Sequence, residues 1–414
     1  MRPTRFPTST GLAALALLTS TMAYAELRIV DNPAGAGALA PSLAEMPDDA
    51  GVVMSWLEKH GDGHTLKFSV FTEGVFSDPS EIARGRNWFA NWADTPGIHV
   101  RSDGTWLAHW LAKSADSTYA YDVRLAHSTD IGASWSTPQT PHTDDTPTEH
   151  GFVSYFAAGD GRTGMLWLDG RQTVTAQGDG HDHAGSMTLR TATIAADGSV
   201  GPDRALDERV CDCCQTASAR TALGPIVAYR DRSEDEIRDI AVVRRTADGW
   251  TEPRLVHADG WKIGGCPVNG PSLIARDQQV VVAWFTMADG IARVRFAISD
   301  DAGASFGEPT SLSPDTALGR VQLAWAPDGF ILSWMEESGR GARMRLARYS
   351  LEGTLLEDKD LTQLDSGRVS GFPQIAVIGG DRLLVAWTVT TADADRGTRT
   401  RIMTGIEQLG AAQE

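Results

Sequence analysis

A short apolar strand ending in an aromatic residue recurs along this chain at nearly even spacing, and no other feature restricts its fold as tightly. Val52-Val53-Met54-Ser55-Trp56 and Ile331-Leu332-Ser333-Trp334 are two copies. Trp110, Trp167, Trp284 and Trp387 mark four more, and Tyr229 holds the same slot in Val227-Ala228-Tyr229. Successive copies lie 54, 57, 62, 55, 50 and 53 residues apart. An acid often stands two residues on, as at Glu58, Asp169, Asp231 and Glu336. Self-similarity at such a period marks an array of one supersecondary unit.

Each copy continues alike. A polar loop such as His60-Gly61-Asp62-Gly63 leads into an alternating segment such as Leu66-Lys67-Phe68-Ser69-Val70-Phe71. Period-two alternation is the mark of a half-buried strand. Another short apolar piece precedes each aromatic strand, for example Pro373-Gln374-Ile375-Ala376. Four units then show an aromatic three residues before a proline: Phe76/Pro79, Trp135/Pro138, Trp250/Pro253 and Phe306/Pro309. Proline is tolerated on an outermost strand, where its lack of an N–H costs no ladder bond. Four strands per unit, seven times, predict an all-β, seven-bladed β-propeller of four-stranded antiparallel blades, with six blades as the alternative if one unit is degenerate. The seventh unit ends after its third strand, so residues 26–30 are expected to supply its outer strand and close the ring. The expected organisation is a single propeller domain over residues 26–408, with a tail at 409–414.

Composition narrows the function classes. The 414 residues are 42% hydrophobic with 13 Trp, enough to bury a real core, and the formal net charge is −17. So acidic a chain is a poor partner for nucleic acid or an anionic membrane. Residues 1–25 read as a signal peptide: Arg2 and Arg5, a short apolar run from Gly11 to Leu18, and Ala23-Tyr24-Ala25 as a cleavage site. Export to the periplasm or medium is expected, with no membrane span once that segment is removed.

Between third and fourth strands two units share a pattern. Ser128-Thr129-Asp130-Ile131-Gly132-Ala133-Ser134-Trp135 and Ser299-Asp300-Asp301-Ala302-Gly303-Ala304-Ser305-Phe306 both read Ser-x-Asp-x-Gly-x-x-aromatic. This resembles the Asp box of the sialidase (neuraminidase, BNR-repeat) superfamily, and Asn87–Asp94, Thr148–Phe152 and Cys211–Cys214 are similar to segments of exported bacterial sialidase-like proteins. The resemblance implies a propeller and a glycan ligand, with exo-sialidase-type hydrolysis as the activity. It also implies three arginines on a substrate carboxylate, a Tyr–Glu nucleophile pair and an Asp acid. Candidates on the pore-mouth face are Arg171, Arg230, Arg232, Arg320 and Arg368 for ligand binding, and Glu149, Asp169 and Asp231 for catalysis. The Phe/Tyr-Arg-Ile-Pro element of the family is absent, and sequence alone picks out no Tyr–Glu pair. For Arg230 and Arg232 the alternative is ion pairing with Glu234, Asp235 and Glu236.

Cys211, Cys213, Cys214 and Cys266 fall at equivalent positions before adjacent blades, so their sulfurs are expected to lie close together. Three uses are open: disulfides, a redox thiol, or a soft-metal site in which thiolates join His181 or His183 on copper or zinc. That last use gives the second functional reading, a non-enzymatic binding module. A scaffold that binds only a protein partner is the third.

Overall fold

The computed structural model describes residues 27–174, 185–312, 315–393 and 397–410. Seven antiparallel sheets follow one another along the chain. Blade three shows the plan: His150–Gly159, Arg162–Asp169, Met187–Ile194 and Arg204–Val210 pair in chain order. The aromatic segments are the second strands in every blade, from Val52–His60 in blade one to Arg382–Asp393 in blade seven.

The ring closes as the sequence predicts. Arg28–Val30 pairs antiparallel with Gly397–Gln408, Val30 opposite Thr404, and becomes the outer strand of blade seven. Thr404 Oγ1 donates to the Val30 carbonyl at 2.7 Å, and Asn32 Nδ2 donates to Thr404 Oγ1 at 3.1 Å. Leu409, which the sequence reading leaves in the tail, packs into the core between blades six and seven.

Outer strands begin immediately after the prolines. Ser80–Gly85, Arg254–Leu255 and Thr310–Leu312 follow Pro79, Pro253 and Pro309. In blade two the outer strand shrinks to one bridge, Leu125 with Gln139, directly after Pro138. The two Ser-x-Asp segments form the same turn. Ser128 Oγ accepts from Gly132 N at 2.9 Å while Asp130 accepts from Ser134 N at 2.9 Å, and Ser299 and Asp301 do likewise for Gly303 and Ser305. Gly132 sits at φ +81 with a would-be Cβ 2.6 Å from the Phe68 ring, so only glycine fits.

The core lies between blades. Each of the seven marker aromatics occupies a different seam: Trp56 between blades seven and one, Trp110 between one and two, Trp167 between two and three. Tyr229, Trp284, Trp334 and Trp387 fill the next four in order. A buried indole N–H needs an acceptor. The acid two residues on supplies it, because alternate residues share a face of the strand. Trp56 donates to Glu58, Trp167 to Asp169 and Trp334 to Glu336, each at 2.8 Å. The recurring Trp-x-acid pattern is thereby a packing device.

The closing strand makes a checkable contrast. Ile406, beside Arg28 in the ladder, is buried in the seam between blades seven and one, while Ile29 is half-exposed. Ile406→Ala is expected to cost about 2–4 kcal/mol in denaturant unfolding and Ile29→Ala under about 0.5. Equal effects would contradict this division between a buried seam and an outward-facing closing strand.

Candidate functional site

At the mouth of the ring the inner strands of blades one, three and six carry bulges. Ala40, Phe152 and Arg320 each adopt φ near +55 where the register slips. Such bulges re-aim side chains. Here they meet the long loop between blades one and two. Trp92 stacks on Phe372 of blade seven at 6.0 Å, with the Arg320 guanidinium 5.0 Å from its ring. The Ala93 carbonyl accepts from Gln215 Nε2 at 2.9 Å, at the start of blade four. Asp94 accepts from Phe152 N of blade three at 2.8 Å. One loop thus touches opposite sides of the ring, so it crosses the axis and caps the channel. Trp88, in the same loop, stacks on Trp110.

Beside this cap three polar side chains meet. The Tyr121 hydroxyl lies 2.9 Å from Asp94 Oδ2 and 2.6 Å from Glu149 Oε1. A phenol has one hydrogen to donate. Two ionised carboxylates at these distances would leave one oxygen pair with no proton between them, so one of the acids carries a proton. Burial pushes Asp94 up to about 7 and Glu149 up to about 8; Asp94 adds to the Glu149 shift by repulsion. Asp94 and Tyr121 are fully buried, whereas Glu149 is part-exposed. Sequence reading placed Glu149 here but missed Tyr121 and Asp94. Asp94 ends the loop before blade two and Tyr121 opens the third strand of that blade, and no pattern in the sequence links the two.

Asp169, predicted as catalytic, is wholly buried in a different network. Arg171 grips it through two bonds of 2.7 Å, Nε to Oδ1 and Nη2 to Oδ2, with the Trp167 indole as third donor. Arg171 also reaches Asp144 at 3.3 Å and Asp203 at 3.2 Å, so its charge is already committed to carboxylates. The His142 and His150 rings stack at 3.8 Å, and Asp144 binds both, His142 Nδ1 at 2.9 Å and His150 Nε2 at 3.2 Å. His142 borders a cleft of about 220 Å³ lined also by Asp122, Thr140 and Pro147. Burial opposes charge on His150, yet Asp144, Asp169 and Asp122 together hold its pKa above the ordinary value.

The other predicted ligands scatter. Arg230 is buried and donates only to backbone carbonyls, of Asn269, Arg238 and Phe285. Arg320 donates to the Gly367 and Gly371 carbonyls and to the Ser370 hydroxyl, and burial lowers its pKa to about 10. Both rivet neighbouring blades. Arg232 pairs with Glu236 at 2.7 Å and Asp212 at 3.2 Å, the ion-pairing alternative. Arg368 is exposed on the Arg368–Ser370 turn. No three of the five arginines converge on one point, because four are spent on carboxylates or carbonyls. Asp231 is half-buried and raised to about 6 by burial, then by Asp207 and Asp239. Glu336 is held by Trp334 and Arg343.

The four cysteines do come together. Sγ of Cys211 and Cys214 are 3.3 Å apart, and the sulfurs of Cys211, Cys213 and Cys214 all lie within 4.8 Å of one another. Cys266 interacts with Cys213 from the loop before the next blade. All four are free thiols, so no disulfide is formed among the described residues. Hydrogen bonds from Cys213 and Cys214, followed by the Arg238 charge, hold Cys211 well below the usual thiol range. His181 and His183 lie outside the described residues.

No family model matches the chain, and no curated protein matches it. Solved structures do. A protein of unknown function from Dyadobacter fermentans superposes with a TM-score of 0.51 at 13% identity, over 93% of this chain and 98% of its own. The NanB sialidase from Streptococcus pneumoniae gives 0.47 at 9%, over 92% and 94%. The Penicillium chrysogenum alpha-L-arabinanase gives 0.45 at 13%, over 90% and 93%. At such identities the likeness is one of fold.

The acids set a pH dependence. Asp94 and Glu149 bind protons in the folded state that the unfolded chain releases near pH 4, so they favour folding at low pH and oppose it as pH rises toward 8. His150, raised, loses its contribution in the same direction. Unfolding free energy is expected to fall by more than about 1 kcal/mol between pH 5.5 and 8.5. Asp94→Asn should flatten that slope; an unchanged slope would show that Asp94 is already ionised.

Proposed function

We propose that this chain is an exported glycan-processing propeller in which Glu149 is the proton donor at the mouth. The observation that carries the reading is the Tyr121 hydroxyl shared between Asp94 and Glu149. A carboxyl kept neutral near pH 7 is what a general acid for glycosidic cleavage requires. Glu149 is the part-exposed member, and Tyr121 connects it to a second, buried carboxyl that can share its proton. The glycan class comes from the superfamily resemblance of the two Ser-x-Asp-x-Gly segments, and export from the first 25 residues.

The arginines refine the substrate. With Arg171, Arg230, Arg232 and Arg320 engaged within the protein, a three-guanidinium clamp on a sugar carboxylate is not assembled. The reading therefore favours a glycan recognised by hydroxyls and ring stacking over terminal sialic acid. A panel of fluorogenic α- and β-glycosides, a sialoside among them, tests this. Turnover of a non-sialoside is expected, reduced about 10²-fold or more by Glu149→Gln and less by Tyr121→Phe. Undiminished turnover in the Glu149→Gln protein would remove Glu149 from the chemistry, and sialoside-only turnover would overturn the substrate assignment.

A further inference from the structure

We propose that the sulfurs of Cys211, Cys213, Cys214 and Cys266 form a binding site for one soft d10 cation, Cu(I) or Zn(II). The proposal is independent of the glycan reading and rests on different residues.

The first argument is geometric. These are the only four cysteines in 414 residues, and the fold gathers them from two loops separated by half a hundred positions. Metal–sulfur bonds are about 2.3 Å, so two sulfurs on one ion can be at most about 4.6 Å apart. The Cys211–Cys214 separation of 3.3 Å is well inside that limit, and the three sulfurs of Cys211–Cys214 lie within 4.8 Å, which a small contraction brings within range. Cys213 belongs to that cluster of three, and Cys266 interacts with it from the neighbouring blade. Three ligands come from one tight turn and the fourth from the neighbouring blade. The three sulfurs of Cys211–Cys214 make a trigonal set, and Cys266 is the fourth sulfur that would complete a tetrahedral one as its loop moves in.

The second argument is charge. Thiolates select soft cations, and three or four of them around Cu(I) or Zn(II) leave a net negative charge that must be balanced in a buried place. The balance is present. Arg238 is only 3% exposed, directs Nη1 at Cys211 Sγ from 3.3 Å and leaves its buried Nε without a hydrogen-bond partner, while its Nη2 pairs with Glu236 at 2.8 Å. Arg230, also buried, makes all its hydrogen bonds to neutral carbonyls, so none of them neutralises its charge. The Nη1 edge of Arg238 on Cys211, with the charge of Arg230 met by no carboxylate, is better matched by a metal thiolate than by neutral thiols.

The third argument is access. Cys211 and Cys214 are 0% and 2% exposed, Cys213 is half-buried, and Cys266 is exposed on its loop. The sulfurs therefore run from interior to surface, giving an ion an entry ligand followed by a dry inner set. Ligand exchange at Cys266 is the step by which metal enters or leaves.

The test uses the full mature chain, purified anaerobically with reductant and stripped of metal by chelation. Cu(I) is titrated against bathocuproine disulfonate and Zn(II) against a chromophoric zinc chelator, with metal-to-protein ratio and thiol alkylation read in parallel. One equivalent of one of the two ions is expected, with the cysteines protected from alkylation. Cys211→Ser/Cys214→Ser should weaken binding at least about 100-fold. Should that variant fail to fold, Cys266→Ser, on the exposed loop, keeps the question open to measurement: unchanged thermal unfolding with affinity lowered about tenfold and faster loss to chelator. Arg238→Met should lower affinity by about 10- to 100-fold at unchanged stoichiometry. Binding of only one ion fixes its identity. The proposal is overturned if the reduced protein binds neither ion better than the double variant does. It is equally overturned if the protein isolated without reductant holds no metal and two disulfides, Cys211–Cys214 and Cys213–Cys266, by peptide mass.

Discussion

Everything in this molecule depends on seven aromatic side chains, each wedged into the seam between one blade and the blade before it. Trp56, Trp110, Trp167, Tyr229, Trp284, Trp334 and Trp387 each sit buried in the apolar cluster of their seam. A single antiparallel sheet cannot bury both its faces, and stacking around a ring lets every face find a partner. The polar end of each ring then imposes a second condition. Its N–H or hydroxyl must be met, and acids such as Glu58, Asp169, Asp207 and Glu336 are placed where they meet it.

That second condition explains why the fold was easier to read than the site. Spacing of the aromatics, repeated seven times, alternation of the flanking strands, and proline before the outer strand in four units are local signals, and the antiparallel pairing of Arg28–Val30 with Gly397–Gln408 followed from counting strands. Site residues offer no such redundancy. Asp169 and Arg171 look like a catalytic acid and a ligand clamp in one dimension. In three dimensions they are a buried ion pair capped by Trp167. Arg230 and Arg320 were legible as unusual arginines at the mouth, but most of their partners are backbone carbonyls, several of them at the next blade, which no side-chain pattern announces.

The residues that sequence reading passed over are instructive for the same reason. Tyr121 begins a third strand and Asp94 ends a loop, 27 positions apart, and their meeting with Glu149 needs the loop to turn back across the ring. His142 and Asp144 are likewise ordinary in sequence and become a buried pair only through His150 on the neighbouring strand. The cysteines were the exception. Equivalent positions before adjacent blades bring side chains together, so the repeat itself forecast their clustering, while Arg238, from the following hairpin, had no counterpart in the repeat.

Closure by Arg28–Val30 has a mechanical meaning. An open stack of sheets frays from its terminal unit, which has only one neighbour. This ring has no terminal unit. The first strand of the chain is tied to the last through partners some 370 residues apart, and every blade has a filled seam on both sides. Opening at one place therefore exposes two faces at once, with no weaker edge from which to begin. Resistance to proteases becomes a property of the whole circuit rather than of any blade, and survives as long as that one short strand stays seated.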